Sequence, residues 1–254
     1  MNRKVKKILT SPTLAGLAAL ALFAGVLEIA VATDVIPQLI VARPSDTFMA
    51  FPELQKEMHL FGAFWETLGM CAAATGLALL IGIPFGYLMY RDDLIGRAYE
   101  GWLAAAFAAP TVLLYPLFLV MFGRSHMTLI LMGFIPGAIP IAIQCRQGLL
   151  GVSPTLLNVG RSFNVTEREM FWKIQLPAAV PTIFTGIRIG VMYTLVNIVA
   201  IEYLIDFGGL GRIVSEMYFR FGSPGTYASI LAVVAVSVLF YWCFGRVERW
   251  LRPV

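Results

Sequence analysis

Apolar residues recur along this chain in runs about as long as a bilayer is thick, and the shorter stretches between them carry most of the charge. A helix needs about 20 apolar residues to cross roughly 30 Å of hydrocarbon. Runs of that length fall at about 13–33, 64–89, 103–122, 127–147, 178–204 and 226–246. A membrane barrel would instead show alternating segments of ~10 residues with turns between them, and the sequence has no such pattern. The expected fold is all-α and integral to the membrane, with six transmembrane helices in a single domain spanning 1–254. The longest polar stretches, about 34–62 and 148–177, are too short for a separate soluble domain.

Composition agrees. Hydrophobic residues make up 59% of the chain and charged residues 13%, whereas soluble domains average about 25% charged. At the N-terminus, basic Met1–Lys7, apolar Leu14–Val26 and the Ala30-Val31-Ala32 tripeptide resemble a secretory signal. The apolar stretch runs on to about Ala32, however, the length of a span rather than a signal core, so a retained first helix is expected.

Charge placement sets the topology. With the N-terminus inside, the inner segments hold Arg3, Lys4, Lys6, Lys7, Arg91, Arg97, Arg146, Arg161, Arg168, Lys173, Arg246, Arg249 and Arg252. The outer loops hold only Arg43, Lys56, Arg124, Arg212 and Arg220, while Arg188 falls within the fifth span. This bias follows the positive-inside rule and puts both termini in the cytoplasm. The net charge of +4 is thus a matter of topology and implies no nucleic-acid partner. Cys71, Cys145 and Cys243 lie in or beside apolar runs without metal-site spacing, and read as small buried hydrophobes.

Prolines punctuate the spans at Pro84, Pro110, Pro116, Pro136, Pro140 and Pro181. Each removes a backbone donor, so a kink or break is expected at each. Gly69, Gly76, Gly82 and Gly86 mark the second span, and the four-residue step from Gly82 to Gly86 permits close helix contact. Phe207-Gly208-Gly209-Leu210-Gly211-Arg212 is glycine-rich but lacks the spacing and Lys-Ser/Thr end of a phosphate loop, so nucleotide chemistry would have to come from another polypeptide.

Residues 152–177 read as two short helices outside the membrane. Ser153 suits an N-cap and Pro154 the first helical position. Leu156, Val159, Gly160 and Phe163 then recur as one apolar face, with Thr155, Asn158, Arg161 and Ser162 opposite. Asn164 sits where a left-handed residue should end the helix. Thr166-Glu167-Arg168-Glu169 forms a capping box flanked by a Val165/Met170 staple, and Pro177 is expected to stop the second helix. The polar face carries Asn, Arg, Ser and Thr rather than a lysine row, which suits a protein contact better than a lipid surface.

Asn158-Val159-Gly160-Arg161-Ser162-Phe163-Asn164 with Ile174-Gln175-Leu176-Pro177 resembles the cytoplasmic EAA loop of ATP-binding-cassette importer permeases. Pro177–Pro181, Thr185–Arg188, Glu202 and Gly208–Gly211 resemble the nitrate/sulfonate/taurine branch, as do Thr67-Leu68 and Gly82–Gly86. The likeness extends over about 40–250 and departs at Asn158, where the family usually has Glu, and at Asn164, where it has Gly. The resemblance implies a type I importer permease that works as a homodimer in the inner membrane. Two ATPase subunits, which hold ATP and Mg, would sit beneath it, and a solute-binding protein would deliver a small, often anionic solute. The permease itself would bind no cofactor and catalyse no reaction. Asn158, Gly160, Arg161, Ser162, Phe163 and Asn164 would then meet the ATPase.

Polar residues in the spans, Tyr115, Gln144, Tyr193, Asn197 and Glu202, are candidates for a translocation path, though each could equally serve packing. Arg188 and Glu202 lie fourteen residues apart, about 21 Å along a helix, too far to pair directly. An ion-gradient-driven transporter or channel is the rival class, but it would want midplane carboxylates and two repeat halves. A membrane enzyme has less support, since His59 and His126 fall in outer loops and no HExxH or GxSxG occurs.

Overall fold

The computed structural model describes residues 12–38, 40–220 and 223–251. They are helical, in the order α1 Pro12–Ala32, α2 Pro44–Met49, α3 Phe51–Met58, α4 Leu60–Arg91, α5 Asp93–Ala108, α6 Tyr115–Phe122, α7 His126–Leu150, α8 Pro154–Ser162, α9 Glu167–Glu169, α10 Leu176–Ile205, α11 Leu210–Phe219 and α12 Ser223–Leu251. Among the described residues, five helical stretches are long and apolar enough to cross a membrane, and a bent pair of helices makes a sixth. The basic segment at 1–11, used for the topology, lies outside the described residues.

The bent pair lies at Pro110, within the third run at 103–122, where a kink or break was expected. Helix α5 and the Thr111–Phe122 segment meet at 86°. The cause is local: Pro110 disfavours the helical conformation at the preceding residue, and Ala109 is extended at φ −72°, ψ 141°. Pro84, Pro136, Pro140 and Pro181 remain inside continuous helices. Pro177 likewise does not stop its helix. Met170–Gln175 forms a π-helical turn that feeds directly into α10, with Pro177 in the first turn of the new register. A proline there sits where its missing N–H costs little.

The chain divides into two compact units, Met1–Leu60 with Ile213–Ala232, and Phe61–Arg212 with Val233–Val254. In the first, α1 is apolar around its whole circumference and largely exposed within the chain, as a lipid-facing helix would be. The Glu28 carboxylate ties its C-terminal part to α2, accepting from Ser45 Oγ at 2.7 Å and Ser45 N at 3.1 Å. Tyr227 Oη and Ser223 Oγ, at the start of α12, donate to the Ile40 and Gln38 carbonyls.

The second unit is organised around α7, whose two sides press on α4 and α10. Small residues make this possible. A Cβ on Gly82 would lie 3.0 Å from the Ala138 carbonyl oxygen, and one on Gly86 would meet Ala142 and Cys145. On the other side Gly133 packs against Ile198, Gly137 against Thr194 and Gly190, and Gly186 against Gln144 and the Pro140 carbonyl. In this ladder α10 runs antiparallel to α7, while α4 runs parallel to it. Close backbone approach suits a bilayer, where packing and not the expulsion of water holds helices together. Gly69 and Gly76 have open space where a Cβ would go.

The arginine-rich ends are also clipped together. Arg146 donates through Nε to the Met89 carbonyl at 3.2 Å and through Nη1 to Glu100, tying α7 to α4 and α5. Cys71 and Cys145 are buried as expected, but Cys243 is exposed on α12. Gly190→Ala should cost about 1–3 kcal/mol of stability, the usual penalty for overpacking, while Gly76→Ala should change it by less than about 0.5 kcal/mol. Thermal unfolding of the two variants in detergent would check this.

Candidate functional site

The 153–177 segment carries the first set of candidate residues. Pro154 opens α8 as expected, but the Ser153 side chain makes no capping bond. Asn164 takes φ 51° and ends the helix in the left-handed region, which Asn tolerates better than most residues. The capping box forms in full: Glu169 N donates to Thr166 Oγ1, and the Glu169 carboxylate accepts from Thr166 N and Oγ1. Lys173 Nζ adds an ion pair to the same carboxylate at 2.7 Å.

The packed face of α8 differs from the apolar stripe read in the sequence. Gly160 is buried, and a Cβ there would strike Ile174 and Met170 of the π turn. Leu157 packs with the cluster around Leu149, Val152 and Ala179. Leu156, Val159 and Phe163 turn outward instead, 42%, 49% and 78% exposed. Arg161 donates to Asn158 Oδ1 at 3.3 Å, and Ser162 Oγ donates to the Val159 carbonyl. Exposed apolar side chains on a short helix anchored through a glycine make a surface suited to a protein partner. Periodicity could not reveal this, because a stripe facing the core and one facing a partner have the same spacing.

The span residues fall into separate places. Tyr193 and Asn197 flank the break at Pro110: the Phe107 ring lies 4.6 Å from that of Tyr193, and Thr111 Oγ1 donates to Asn197 Oδ1 at 3.1 Å. Tyr115 packs beside Leu129, Met132, Ile201 and Ile205. Gln144 lies against Gly186, between α7 and α10. Glu202 is wholly buried within the chain.

Glu202 anchors a polar knot that spacing alone could not assemble. Thr67 Oγ1 of α4 donates to both carboxylate oxygens at 2.9 and 3.0 Å, and the Gly211 N–H donates to Oε2 at 2.9 Å. Thr67 Oγ1 also accepts from the Leu210 N–H at 2.9 Å. The glycine-rich run thus becomes a turn. Gly208 takes φ +82°, and a Cβ on Gly209 would collide with Thr67 and come within 2.7 Å of Glu202 Oε1. Nearby, His126 Nε2 lies 3.4 Å from Glu66 Oε1, and its ring rests on Phe207.

Arg188 has a partner as well. Its Nη1 meets Glu248 Oε2 at 2.6 Å, and its guanidinium lies 4.4 Å from the centroid of the Tyr241 ring. This joins α10 to α12 inside a span. The signal in the sequence was one acidic residue, Glu248, just beyond the last apolar run, which only tertiary contact could assign to Arg188.

These features define a helical protein of several membrane spans. Residues 78–253 match the family model described as binding-protein-dependent transport system inner membrane component. The chain belongs to this family, the permease subunits of ATP-binding-cassette importers. It is similar to the formylaminopyrimidine transport permease protein ThiX of Halalkalibacterium halodurans, 25% identical over 187 residues, covering 74% of this chain and 75% of that protein. It is also similar to the bicarbonate transport system permease protein CmpB of Synechocystis sp., 28% identical over 196 residues, covering 76% and 70%. The fold is that of a permease chain in an inward-facing structure of the MetNI methionine ABC transporter, with TM-score 0.66, 23% identity, and coverage of 78% of this chain and 99% of that one.

Two sets of variants test the buried contacts. Thr67→Val should destabilise the protein by about 1–3 kcal/mol, because it strands two hydrogen-bonding partners; Gly209→Ala should do the same through collision, and Thr67→Ser should cost less than either. Arg188→Leu should cost about 3 kcal/mol by leaving a buried carboxylate, and the Arg188→Leu/Glu248→Leu pair should recover most of it. Unfolding midpoints in detergent, read as a double-mutant cycle for the second set, provide the measurement.

Proposed function

We propose that α8 is the element through which a separate ATPase drives this permease, and that the exposed apolar face of Leu156, Val159 and Phe163 is the contact. The carrying observation is the anchoring of α8. Gly160 sits without a gap on Met170 and Ile174, and that π turn runs unbroken into α10. A displacement of α8 is thereby passed to a span rather than absorbed in a loop. Asn158, Arg161, Ser162 and Asn164 border the contact. With Asn at 158, this part of the contact carries no carboxylate.

In this reading the working assembly holds two copies of the chain, two ATPase subunits with their ATP and Mg, and a solute-binding protein on the opposite face. Both termini and the 153–177 segment lie in the cytoplasm, in keeping with the distribution of Lys and Arg. ATP favours one orientation of the spans because it binds the two states with different affinity. The chain itself holds no cofactor and performs no catalytic step. Tyr193 and Asn197, beside the broken span, are the best-placed of the candidate path residues, because irregular backbone at membrane depth is tolerated where it is buried or lines a cavity. The cargo is a small solute. Relatives named for a pyrimidine derivative and for bicarbonate have similar identity to this chain, so selectivity is assigned to the binding protein.

Purification of the intact chain from its native membrane should recover a P-loop ATPase. Phe163→Asp should lower that recovery at least about tenfold, the loss expected when a central interface residue is replaced by a charge, without changing the unfolding midpoint. Equal recovery with both proteins, or no ATPase with either, would sink the assignment.

A further inference from the structure

Beside α8, on the side away from Val159 and Phe163, lies a cleft of about 610 Å³ between the end of α4, α8 and the π turn. At 100° per residue, Leu157 and Arg161 point roughly opposite to Val159 and Phe163, and both line the cleft. Three guanidiniums border it, those of Arg91, Arg161 and Arg168, against the single carboxylate of Glu167. Among the described residues, neither Arg91 nor Arg168 has a carboxylate within ion-pair distance, whereas Arg97, Arg146 and Arg188 all do. One wall is aromatic. Tyr87 meets Phe171 edge-on at 5.3 Å, and Phe171 meets Trp172 at 5.4 Å. Trp172 is 61% exposed.

We infer that this cleft binds the phosphate headgroup of an anionic phospholipid from the adjoining leaflet. Three observations carry the assignment. The excess of unpaired guanidinium favours a phosphate, which planar N–H forks match well. The cleft lies where α4 ends and α10 begins, at the ends of two helices long and apolar enough to span a bilayer, and the end of a span is where hydrocarbon gives way to headgroups. Exposed Trp beside Tyr is the side-chain pairing that settles at a membrane–water boundary, and basic pockets at helix ends take anionic headgroups. An ATPase docked on Val159 and Phe163 would leave this side of α8 open, so the two surfaces are separate. Arg161 belongs to the cleft by direction and reaches the border of the ATPase contact only through Asn158. The assignment does not depend on ATPase docking, since neither the charges nor the aromatic wall involves that face.

The test uses the full chain in symmetric vesicles of phosphatidylcholine with a minor fraction of phosphatidylglycerol, so that its orientation does not matter. One lipid or the other carries bromine on its acyl chains to quench tryptophan, and the Trp172→Phe protein gives the signal to subtract. Brominated phosphatidylglycerol should quench Trp172 more strongly than brominated phosphatidylcholine at equal mole fraction. Arg91→Gln and Arg168→Gln should each lower that preference about fivefold, equivalent to ~1 kcal/mol per basic residue at an anionic surface. Arg249→Gln, outside the cleft, should leave it unchanged. Equal quenching by the two lipids, or a preference that survives the Arg91→Gln/Arg168→Gln pair, would overturn the proposal. So would displacement of the lipid by inorganic phosphate, which would make the ligand a soluble anion, and so would loss of the preference when the co-purified ATPase is bound, which would make the cleft a protein socket.

Discussion

The close approach of α7 to α4 on one side and α10 on the other governs the larger unit. No excess of apolar attraction is available between helices surrounded by lipid, so these backbones are held by contact at short range and by the hydrogen bonds that shortness allows. Glycines at 82, 86, 133, 137, 186 and 190 remove the side chains that would keep the helices apart. Thr194 can then donate across the seam to the Gly133 carbonyl at 3.0 Å.

Charges are placed by the same constraint. An ionisable group at membrane depth is costly unless it is paired or reaches water. Arg146 satisfies this with Glu100 and a backbone carbonyl, and Arg188 with Glu248 and the face of Tyr241. Glu202 relies on a hydroxyl and a backbone N–H that the Gly208–Gly211 turn brings to it. Each is a junction between helices distant in the chain, so each also fixes how those helices are arranged.

The join between α9 and α10 has a mechanical consequence. A proline that terminated the helix at 177 would have isolated the 153–177 segment as a separate loop. The π turn instead carries the chain through without interruption, and Gly160 seats α8 directly on it. Motion imposed on α8 therefore has a rigid route into a span, while the rest of α8 is divided between an apolar face and a basic cleft.

The membrane class, the approximate spans, the left-handed Asn164 and the Thr166–Glu169 capping box were all legible in the sequence, because each depends on composition or on residues within one helical turn of each other. A kink or break was expected at every proline of the spans, yet Pro84, Pro136, Pro140 and Pro181 lie inside continuous helices while the sharp bend falls at Ala109-Pro110; the prolines presented the same signal, and their neighbours decided which helix would yield. The partners of Arg188 and Glu202 were not legible, since the residues that complete them are 60 and 135 positions away. Nor was the outward turn of Leu156, Val159 and Phe163. The sequence by itself determined which segments enter the membrane, through free energies of transfer that act residue by residue. Only the tertiary structure decided which faces of those segments meet, because that choice rests on contacts made after the helices are already in the bilayer.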